Sequence, residues 1–469
     1  MKPRRANDRS AAGRRGDTPR GAAAESSGLR TRRTALEVLV RVARERAYAD
    51  VLLGHRLAGF AAPDRRLVTQ LVLGTIAWQG RLDYELERVA SRALETLAPE
   101  ILAVMRMALF QLRILSRVPP HAAVDTAVTL ARESAGDGLA RFVNAVLRNA
   151  LRNPVSRPSR TADELGYLAT IHSHPRWLVS KFIEWFGLRD AEALLAANNL
   201  AAPNVLRLNL ARGAAAALAA RLEREGFEIA SRGRFPETVV LGSAPLFDAE
   251  ALRDGICYPQ SEASQLVARM LAPARDASVV DCAAAPGGKA AHLAELSGPG
   301  GTVVALDLSL AGLKKTRALA ARLGHRNLVA VRADTATALP LRPQSFDYVL
   351  LDAPCTGTGT MREHPEIRWR LRPDDFARMA ALQTLMLEQA GALVCPQGVI
   401  VYSVCSFAPE EGPGVVEDFM VRHPEFNLDV PAALRAPFDG LLDDRGYLRT
   451  RPDRGGRDGF FAARLVRRS

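Results

Sequence analysis

The chain has 469 residues, a length that suits about three domains at roughly 150 residues each. Apolar residues make up 48% of it, enough for a core in each domain, and no run of about 18 apolar residues predicts a membrane-spanning helix. The formal net charge of +12 favours a polyanionic partner, usually nucleic acid, and disfavours an enzyme for small molecules, which needs no polyanion groove.

The first segment, residues 1–29, is rich in Gly, Ser, Arg and Ala and lacks apolar periodicity, so we predict a disordered basic tail. Ten Lys or Arg and three acids fall within residues 1–35. The tail has no apolar core of a secretion signal, and Pro3, Asp8 and Asp17 interrupt the pattern of a mitochondrial transit peptide. We therefore expect a cytoplasmic protein.

Residues 30–152 show repeated helical periodicity and little strand-like alternation, which predicts an all-helical domain. Short turns such as residues 136–138 are expected between its helices. Apolar residues recur at helical spacing at Leu36, Leu39, Val40 and Ala43, and again at Met105, Ala108, Leu109 and Leu112.

Residues 153–160 contain two prolines and two serines and are typical of a linker. A small α+β domain is predicted at residues 161–260. Its helices are expected at 177–200 and 214–225, and its strands at 204–209 and 238–241. His172 and His174 have no third ligand nearby in the sequence, so no metal site is predicted.

Residues 261–469 alternate short apolar strands with helices, which predicts a parallel sheet covered on both faces. The strands are expected at 278–282, 302–306, 328–332, 348–351 and 399–404. A last apolar segment, 460–466, is predicted to close the sheet as an edge strand.

Small residues follow the first of these strands, from Asp281 to Lys289, where they allow a ligand to approach the backbone. Asp307 ends the second strand and Asp334 follows the third. Because ligands bind at the carboxyl ends of parallel strands, these acids predict an adenosine site with hydrogen bonds to ribose and adenine. The chain contains no phosphate-binding loop of the kind found in nucleoside triphosphatases.

Cys355 and Cys405 follow the fourth and fifth strands, beside the predicted cofactor. Such thiols suit methylation of carbon 5 of cytosine, because addition of a thiolate at carbon 6 makes carbon 5 nucleophilic. The target base must leave its stack, Asp352 is a candidate to bind the cytosine edge, and Lys289 or Arg362 is a candidate to stabilise the thiolate. The odd number of cysteines predicts neither a disulfide framework nor zinc, and Cys257 and Cys395 are interpreted as structural.

At these motifs the chain resembles the bacterial Sun/Fmu family of ribosomal RNA cytosine-5 methyltransferases. The family loop D-x-C-A-A-P-G-G-K matches residues 281–289, with Ala283 at the family's Cys position, and its D-A-P-C stretch matches residues 352–355. The later T-C-S matches residues 404–406 with Val404 in place of Thr. Glu363 stands where the family often has a second Arg.

Two further segments extend the resemblance across the chain from about residue 31. Residues 141–148 resemble the signature helix of NusB-type RNA-binding domains, and residues 258–264 resemble the family's lead-in to its catalytic domain. The resemblance implies an all-α NusB-like domain, a small RRM-like α+β domain and a Rossmann-like class I methyltransferase domain.

The resemblance also implies the roles of the site residues. Cys405 is expected to be the nucleophile, and Cys355 to assist product release. The residues expected to bind S-adenosylmethionine are Ala283, Ala284, Ala285, Pro286, Gly287, Gly288, Lys289, Asp307, Asp334 and Asp352. The expected substrate is small-subunit (16S) ribosomal RNA, and a monomer without metal is the expected form.

Three alternatives remain open from the residues alone. Cys355 could be the nucleophile, because DNA cytosine-5 methyltransferases use a Pro-Cys at the corresponding strand and Pro354 precedes Cys355. The same chemistry could act on transfer RNA. The chain could also be a non-catalytic RNA-binding factor of ribosome assembly, for which the NusB-like domain and basic tail would suffice.

Overall fold

The computed structural model describes residues 27–242 and 249–468. Residues 1–26 of the predicted disordered tail lie outside the described residues. The last three residues of the predicted tail, 27–29, form the first turn of a helix. Within the described part of the chain, no helix is both long and apolar enough to cross a membrane.

The N-terminal region is entirely helical, as predicted. Gly136, with φ of 80°, breaks the last helix at the predicted turn. In α1 the predicted Leu36 and Leu39 are buried, and Val42 is buried in place of the exposed Ala43. The helices are α1 (Ser27–Glu45), α2 (Ala49–Arg56), α3 (Ala62–Ala77), α4 (Gln79–Val89), α5 (Pro99–Arg113) and α6 (Pro120–Arg152).

Three helices and a small sheet follow the linker. The helices share a core with Met361, Phe376 and Ala408 of the C-terminal region, and the antiparallel strands pair in the order β2-β3-β1-β4. The helices are α7 (Glu164–Ile171), α8 (Arg176–Phe186) and α9 (Leu188–Ala197), and the sheet region comprises β1 (Asn204–Leu208), α10 (Ala215–Arg224), β2 (Ile229–Arg232), β3 (Thr238–Leu241), α11 (Glu250–Arg253) and β4 (Cys257–Pro259).

The C-terminal region is a mixed sheet covered by helices, in the order β10-β12-β9-β8-β5-β6-β7, with β11 beside β12. Strands β5 to β9 are parallel. The elements are α12 (Glu262–Leu271), β5 (Ser278–Asp281), α13 (Gly288–Ser297), β6 (Thr302–Asp307), α14 (Leu310–Leu323), β7 (Leu328–Arg332), β8 (Phe346–Asp352), α15 (Ile367–Arg370), α16 (Asp375–Ala392), β9 (Val394–Val404), α17 (Pro413–Arg422), β10 (Phe426–Leu428), α18 (Ala432–Arg435), β11 (Leu448–Thr450) and β12 (Phe460–Arg467).

The last strand differs from the sequence prediction. It is not an edge, because β12 lies between β9 and β10 and runs antiparallel to both. Cys395, interpreted as structural, lies in β9. Residues 409–412 form a turn before α17.

Candidate active site

The parallel strands bring the predicted site residues to one edge of the sheet. Asp281, Asp307 and Asp352 end β5, β6 and β8, and Cys405 directly follows β9. A cavity of about 710 Å³ opens at this edge, and we call it the strand-end cleft. The predicted residues that line it are Ala283, Ala284, Ala285, Pro286, Gly288, Lys289, Asp352 and Cys405, together with Asp281.

Close backbone packing shapes the loop between β5 and α13. Gly287 has φ of 107°, and a Cβ atom there would lie 2.8 Å from the Cα atom of Thr316. A Cβ atom on Gly288 would lie 2.9 Å from the ring of Tyr258. Both positions therefore need glycine for the loop to reach the cleft in this form.

Asp307 and Asp334 bind loop amides rather than line the cleft. Asp307 accepts hydrogen bonds from the amides of Ala285 at 2.9 Å and Ser309 at 2.7 Å. Asp334 accepts one from the amide of Ala336 at 3.0 Å. Asp307 thus ties the loop after β5 to the end of β6, and a direct ligand contact by either acid stays a prediction.

Lys289 and Asp352 form an ion pair inside the cleft. The Lys289 Nζ atom lies 2.6 Å from Asp352 Oδ2, and Ser403 Oγ donates a hydrogen bond to Asp352 Oδ1 at 2.6 Å. Burial alone would lower the pKa of Lys289, but the charges of Asp352 and Cys405 raise it above its ordinary value. The ammonium group therefore stays charged beside the thiol.

Asp281 is an orphaned acid in the wall of the cleft. It is 1% exposed, and its Oδ2 atom has no hydrogen-bond partner among the described residues. Burial, and then the negative charge of Asp352, raise the pKa of Asp281 to about 7. A buried acceptor of this kind suits a ligand that carries a cationic or hydrogen-bond-donating group.

Cys355 and Cys405 lie together, with their Sγ atoms 3.3 Å apart and no bond between them. The hydrogen bond to Cys405, together with burial, raises the pKa of Cys355 well above its ordinary value. The two thiols are therefore close enough to share a hydrogen bond. Cys405 faces the strand-end cleft, whereas Cys355 lines a separate cavity of about 250 Å³.

A buried carboxylate joins the loops that carry these two thiols, and nothing in the sequence signalled it. Glu411 is fully buried and accepts hydrogen bonds from the Thr356 amide at 2.9 Å and from Gln383 Nε2 at 3.0 Å. Its other oxygen accepts from the hydroxyls of Thr356 and Ser406. Each loop is thereby held against the other.

The cleft also contains acids and a histidine that the sequence analysis did not place there. Asp50, Glu363 and His364 line it, although Asp50 belongs to the N-terminal region. Arg362, predicted as a candidate to stabilise the thiolate, instead donates to the carbonyl oxygens of Ala201 at 2.7 Å and Gly456 at 3.0 Å. Lys289 is the member of that predicted pair that lines the cleft.

Three family descriptions match successive parts of the chain. Residues 29–152 match the NusB family, and residues 174–246 match the ferredoxin-like domain of RsmF/B-like methyltransferases. Residues 268–466 match the 16S rRNA methyltransferases RsmB/F. The predicted fold class is thereby confirmed for all three regions.

Relatives and a solved structure match over almost the whole chain. The probable ribosomal RNA small subunit methyltransferase B of Bacillus subtilis is 34% identical over 91% of this chain and 96% of its own length. The ribosomal RNA small subunit methyltransferase B of Pseudomonas putida is 32% identical over 91% of this chain and 98% of its own length. The crystal structure of PH0851 is 26% identical and covers 95% of this chain and 99% of its own, with a TM-score of 0.81. The chain therefore belongs to the RsmB/F family of 16S rRNA methyltransferases, and its cofactor is S-adenosylmethionine, as the resemblance implied.

Proposed function

We propose that this protein methylates carbon 5 of a cytosine in small-subunit ribosomal RNA, with Cys405 as the covalent nucleophile. The observation that carries the proposal is the thiol pair, 3.3 Å apart, of which Cys405 faces the strand-end cleft and Cys355 does not. Carbon 5 of cytosine needs covalent activation, and a thiolate beside the methyl donor supplies it.

The cleft fits S-adenosylmethionine. Its wall from Ala283 to Gly288 carries no side chain larger than proline, and the orphaned Oδ2 atom of Asp281 suits the ammonium group of that cofactor. We propose that residues 283–289, Asp307, Asp334 and Asp352 hold it. When bound, the cofactor supplies a methyl group on a positively charged sulfur.

The residues of the chain would act in a fixed order. Cys405 Sγ adds to carbon 6 of the cytosine, and the electron pair displaced towards carbon 5 takes up the methyl group. Asp352 accepts a hydrogen bond from the cytosine edge, while Lys289 keeps its charge beside the thiolate. A base then removes the proton on carbon 5, the bond from Sγ to carbon 6 breaks, and Cys405 leaves as a thiolate. Cys355 assists this release by donating a hydrogen bond from its S–H group to the departing thiolate.

RNA that contains 5-fluorocytosine tests which thiol is the nucleophile. A base can remove a proton from carbon 5 but cannot remove fluorine in the same way, so the covalent adduct is trapped. The wild-type chain and Cys355→Ala are expected to form a covalent complex, and Cys405→Ala is expected to form none. On ordinary RNA, Cys355→Ala is expected to accumulate the complex. A complex with Cys405→Ala and none with Cys355→Ala would make Cys355 the nucleophile.

Direct measurements distinguish this proposal from its two alternatives, a transfer RNA substrate and a non-catalytic role in ribosome assembly. Bisulfite sequencing of ribosomal and transfer RNA from a deletion strain is expected to show one lost 5-methylcytosine in small-subunit ribosomal RNA; a loss confined to transfer RNA would redirect the proposal. Isothermal titration with S-adenosylmethionine is expected to show binding, whereas a non-catalytic assembly factor would show none. The proposed place of action is the cytoplasm, as a monomer.

A further inference from the structure

A second cleft lies on the other side of the thiol pair and is formed partly by the N-terminal region. This cavity of about 250 Å³, which we call the Tyr48 cleft, is lined by Arg46 and Tyr48 from the connection between α1 and α2. Its opposite wall includes Cys355 and Arg370 of the C-terminal region. Cys355 lines the Tyr48 cleft and Cys405 lines the strand-end cleft, so the two clefts approach each other at the thiol pair, whose Sγ atoms are 3.3 Å apart.

The connection that carries Tyr48 is held firmly against the C-terminal region. Arg370 Nη2 donates hydrogen bonds to the carbonyl oxygens of Ala47 at 2.7 Å and Val42 at 3.2 Å. The amide of Ala49 donates to Glu366 Oε1 at 2.9 Å. Tyr48 is thus flanked on both sides by fixed backbone, yet the residue itself is 52% exposed.

The exposed ring stands beside a guanidinium group and an imidazole ring. The Arg370 guanidinium carbon lies 5.5 Å from the Tyr48 ring centroid, and the ring of His364 packs edge-on at 5.9 Å. Within the described residues, neither Arg46 nor Arg370 forms an ion pair with a carboxylate. Both guanidinium groups donate to backbone carbonyl oxygens, Arg46 to that of Arg370 at 3.5 Å. An exposed aromatic ring beside guanidinium groups without a carboxylate partner is the combination that binds single-stranded nucleic acid by base stacking and phosphate contacts.

We propose that the Tyr48 cleft binds the RNA strand next to the target cytosine, with Tyr48 stacked on a neighbouring base and Arg46 on a phosphate. This inference rests on the proposed function, because it places the strand beside Cys405. A base can reach Cys405 only after leaving its stack, and a replacement stacking partner nearby lowers the cost of that step. The N-terminal region would then position substrate at the thiol pair as well as bind RNA elsewhere.

Equilibrium binding of an unmethylated small-subunit ribosomal RNA transcript tests the stacking contact without requiring chemistry. Tyr48→Ala is expected to weaken RNA binding roughly 5- to 150-fold, the range for loss of one stacked base. Tyr48→Phe keeps the ring and is expected to bind within about 2-fold of wild type. Affinity for S-adenosylmethionine is expected to stay the same in both variants, since Tyr48 does not line the strand-end cleft.

Tyr84→Ala is the matched control. Tyr84 lies in the same helical region and also carries a guanidinium, that of Arg88, over its ring at 3.4 Å, but it lines a different cavity. Wild-type RNA affinity in Tyr48→Ala would overturn the inference, and so would equal losses in Tyr48→Ala and Tyr84→Ala.

Arg46→Gln tests the phosphate contact by a second measurement, because loss of one phosphate contact is expected to reduce the slope of log affinity against log salt concentration by about 1. An unchanged slope would show that Arg46 does not contact a phosphate of the RNA.

Failure of the inference and failure of the proposed function give different results. If the wild-type chain makes no 5-methylcytosine, the proposed function fails, yet selective loss of RNA affinity in Tyr48→Ala still supports the Tyr48 cleft. If the wild-type chain methylates its RNA and Tyr48→Ala binds that RNA normally, the inference alone fails.

Discussion

At the scale of single residues, the two thiols differ in their surroundings although each stands at a strand end. The Sγ atoms of Cys355 and Cys405 lie within hydrogen-bond distance at 3.3 Å, and this contact together with burial keeps the pKa of Cys355 well above its ordinary value. Cys405 instead lines the cleft that contains the Lys289 ammonium. In the sequence, only the family resemblance favoured Cys405 over Cys355 as the nucleophile. The different surroundings of the two thiols in the structure also favour Cys405.

Removing the cation beside Cys405 is expected to slow its reactions. In Lys289→Met the ion pair with Asp352 is lost, and with it the attraction between the ammonium and the thiolate. In a Cys355→Ala background we expect slower alkylation of Cys405 by iodoacetamide, and adduct formation with 5-fluorocytosine RNA reduced on the order of 10²-fold, the usual cost of losing one preorganised electrostatic contact.

Lys314→Met is the control, because Lys314 is an exposed lysine of α14 and lies outside the strand-end cleft. It is expected to react at the rate of the parent protein. If Lys289→Met alkylates as fast as Lys314→Met, then Lys289 has no electrostatic role at the thiol.

Glu363 makes the stability of the fold depend on pH. Burial, and then the charges of Asp458 and Asp50, raise the pKa of Glu363 from 4.5 to about 8. The folded chain keeps a proton there that the unfolded chain releases, so this group lowers stability as pH rises from about 4.5 to 8. We expect Glu363→Gln to unfold at a higher temperature than wild type at pH 8.5, and at nearly the same temperature at pH 5.

Thermal unfolding from pH 5 to 9 measures this difference. Glu410→Gln, at an exposed position in the turn after β9, removes the same charge and is expected to follow the wild-type curve. Parallel curves for Glu363→Gln and wild type would show that Glu363 ionises normally in the folded chain.

At the scale of elements, the segments that follow β8 and β9 and the one that precedes β12 are packed so closely that side chains are excluded at their contact. The amide of Gly359 donates to the carbonyl oxygen of Cys405 at 3.0 Å, and the amide of Gly459 donates to that of Gly359 at 2.8 Å. A Cβ atom on Gly359 would lie 2.0 Å from the Gly459 carbonyl oxygen. The position of Cys405 thus depends on a contact between two glycines.

Gly359→Ala is therefore expected to displace Cys405 and to destabilise the fold by about 1–3 kcal/mol, the usual cost of overpacking. Urea unfolding measures the stability, and trapping with 5-fluorocytosine RNA measures the position of the thiol. In Gly54→Ala a Cβ atom would meet nothing within 4 Å, and this helical position is expected to gain stability. Normal trapping by Gly359→Ala would show that the loop accommodates a side chain.

How far the sequence predicted these elements depended on their length. The runs of β-branched and apolar residues at β5 to β9 and at β12 predicted strands that the structure confirms. Strands β4 and β10 have three residues each, too few for an alternating pattern, and without β10 the strand β12 was taken for an edge. The site was predictable where each residue follows its own strand, as Cys355 and Cys405 do. Glu411, which joins the two loops through contacts across the fold, left no local pattern.

At the scale of the whole molecule, one buried arginine joins the three regions of the chain. Arg368 is fully buried and donates to the carbonyl oxygens of Ala77, Ser173, Asn198 and Met361 and to the side chain of Asn199. Beside it, Trp369 Nε1 donates to the carbonyl oxygen of Ile76 at 2.7 Å. The segment after Cys355 thereby also fixes the N-terminal region, which supplies Tyr48 and Asp50 to the two clefts.

Arg368→Met tests whether this contact holds the regions together. The substitution keeps much of the side-chain volume but leaves several buried acceptors without a donor, each of which costs about 1–3 kcal/mol. We expect a lower unfolding temperature, faster proteolysis in the linker at residues 153–160 and a larger radius of gyration by X-ray scattering. RNA affinity is also expected to fall, because Tyr48 would no longer be held beside Cys355.

Arg372→Met, at an exposed position four residues along the chain, is the control and is expected to match wild type in every measurement. If Arg368→Met keeps the wild-type radius and resistance to protease, the apolar contacts between the regions suffice without this arginine, and the placement of Tyr48 does not depend on it.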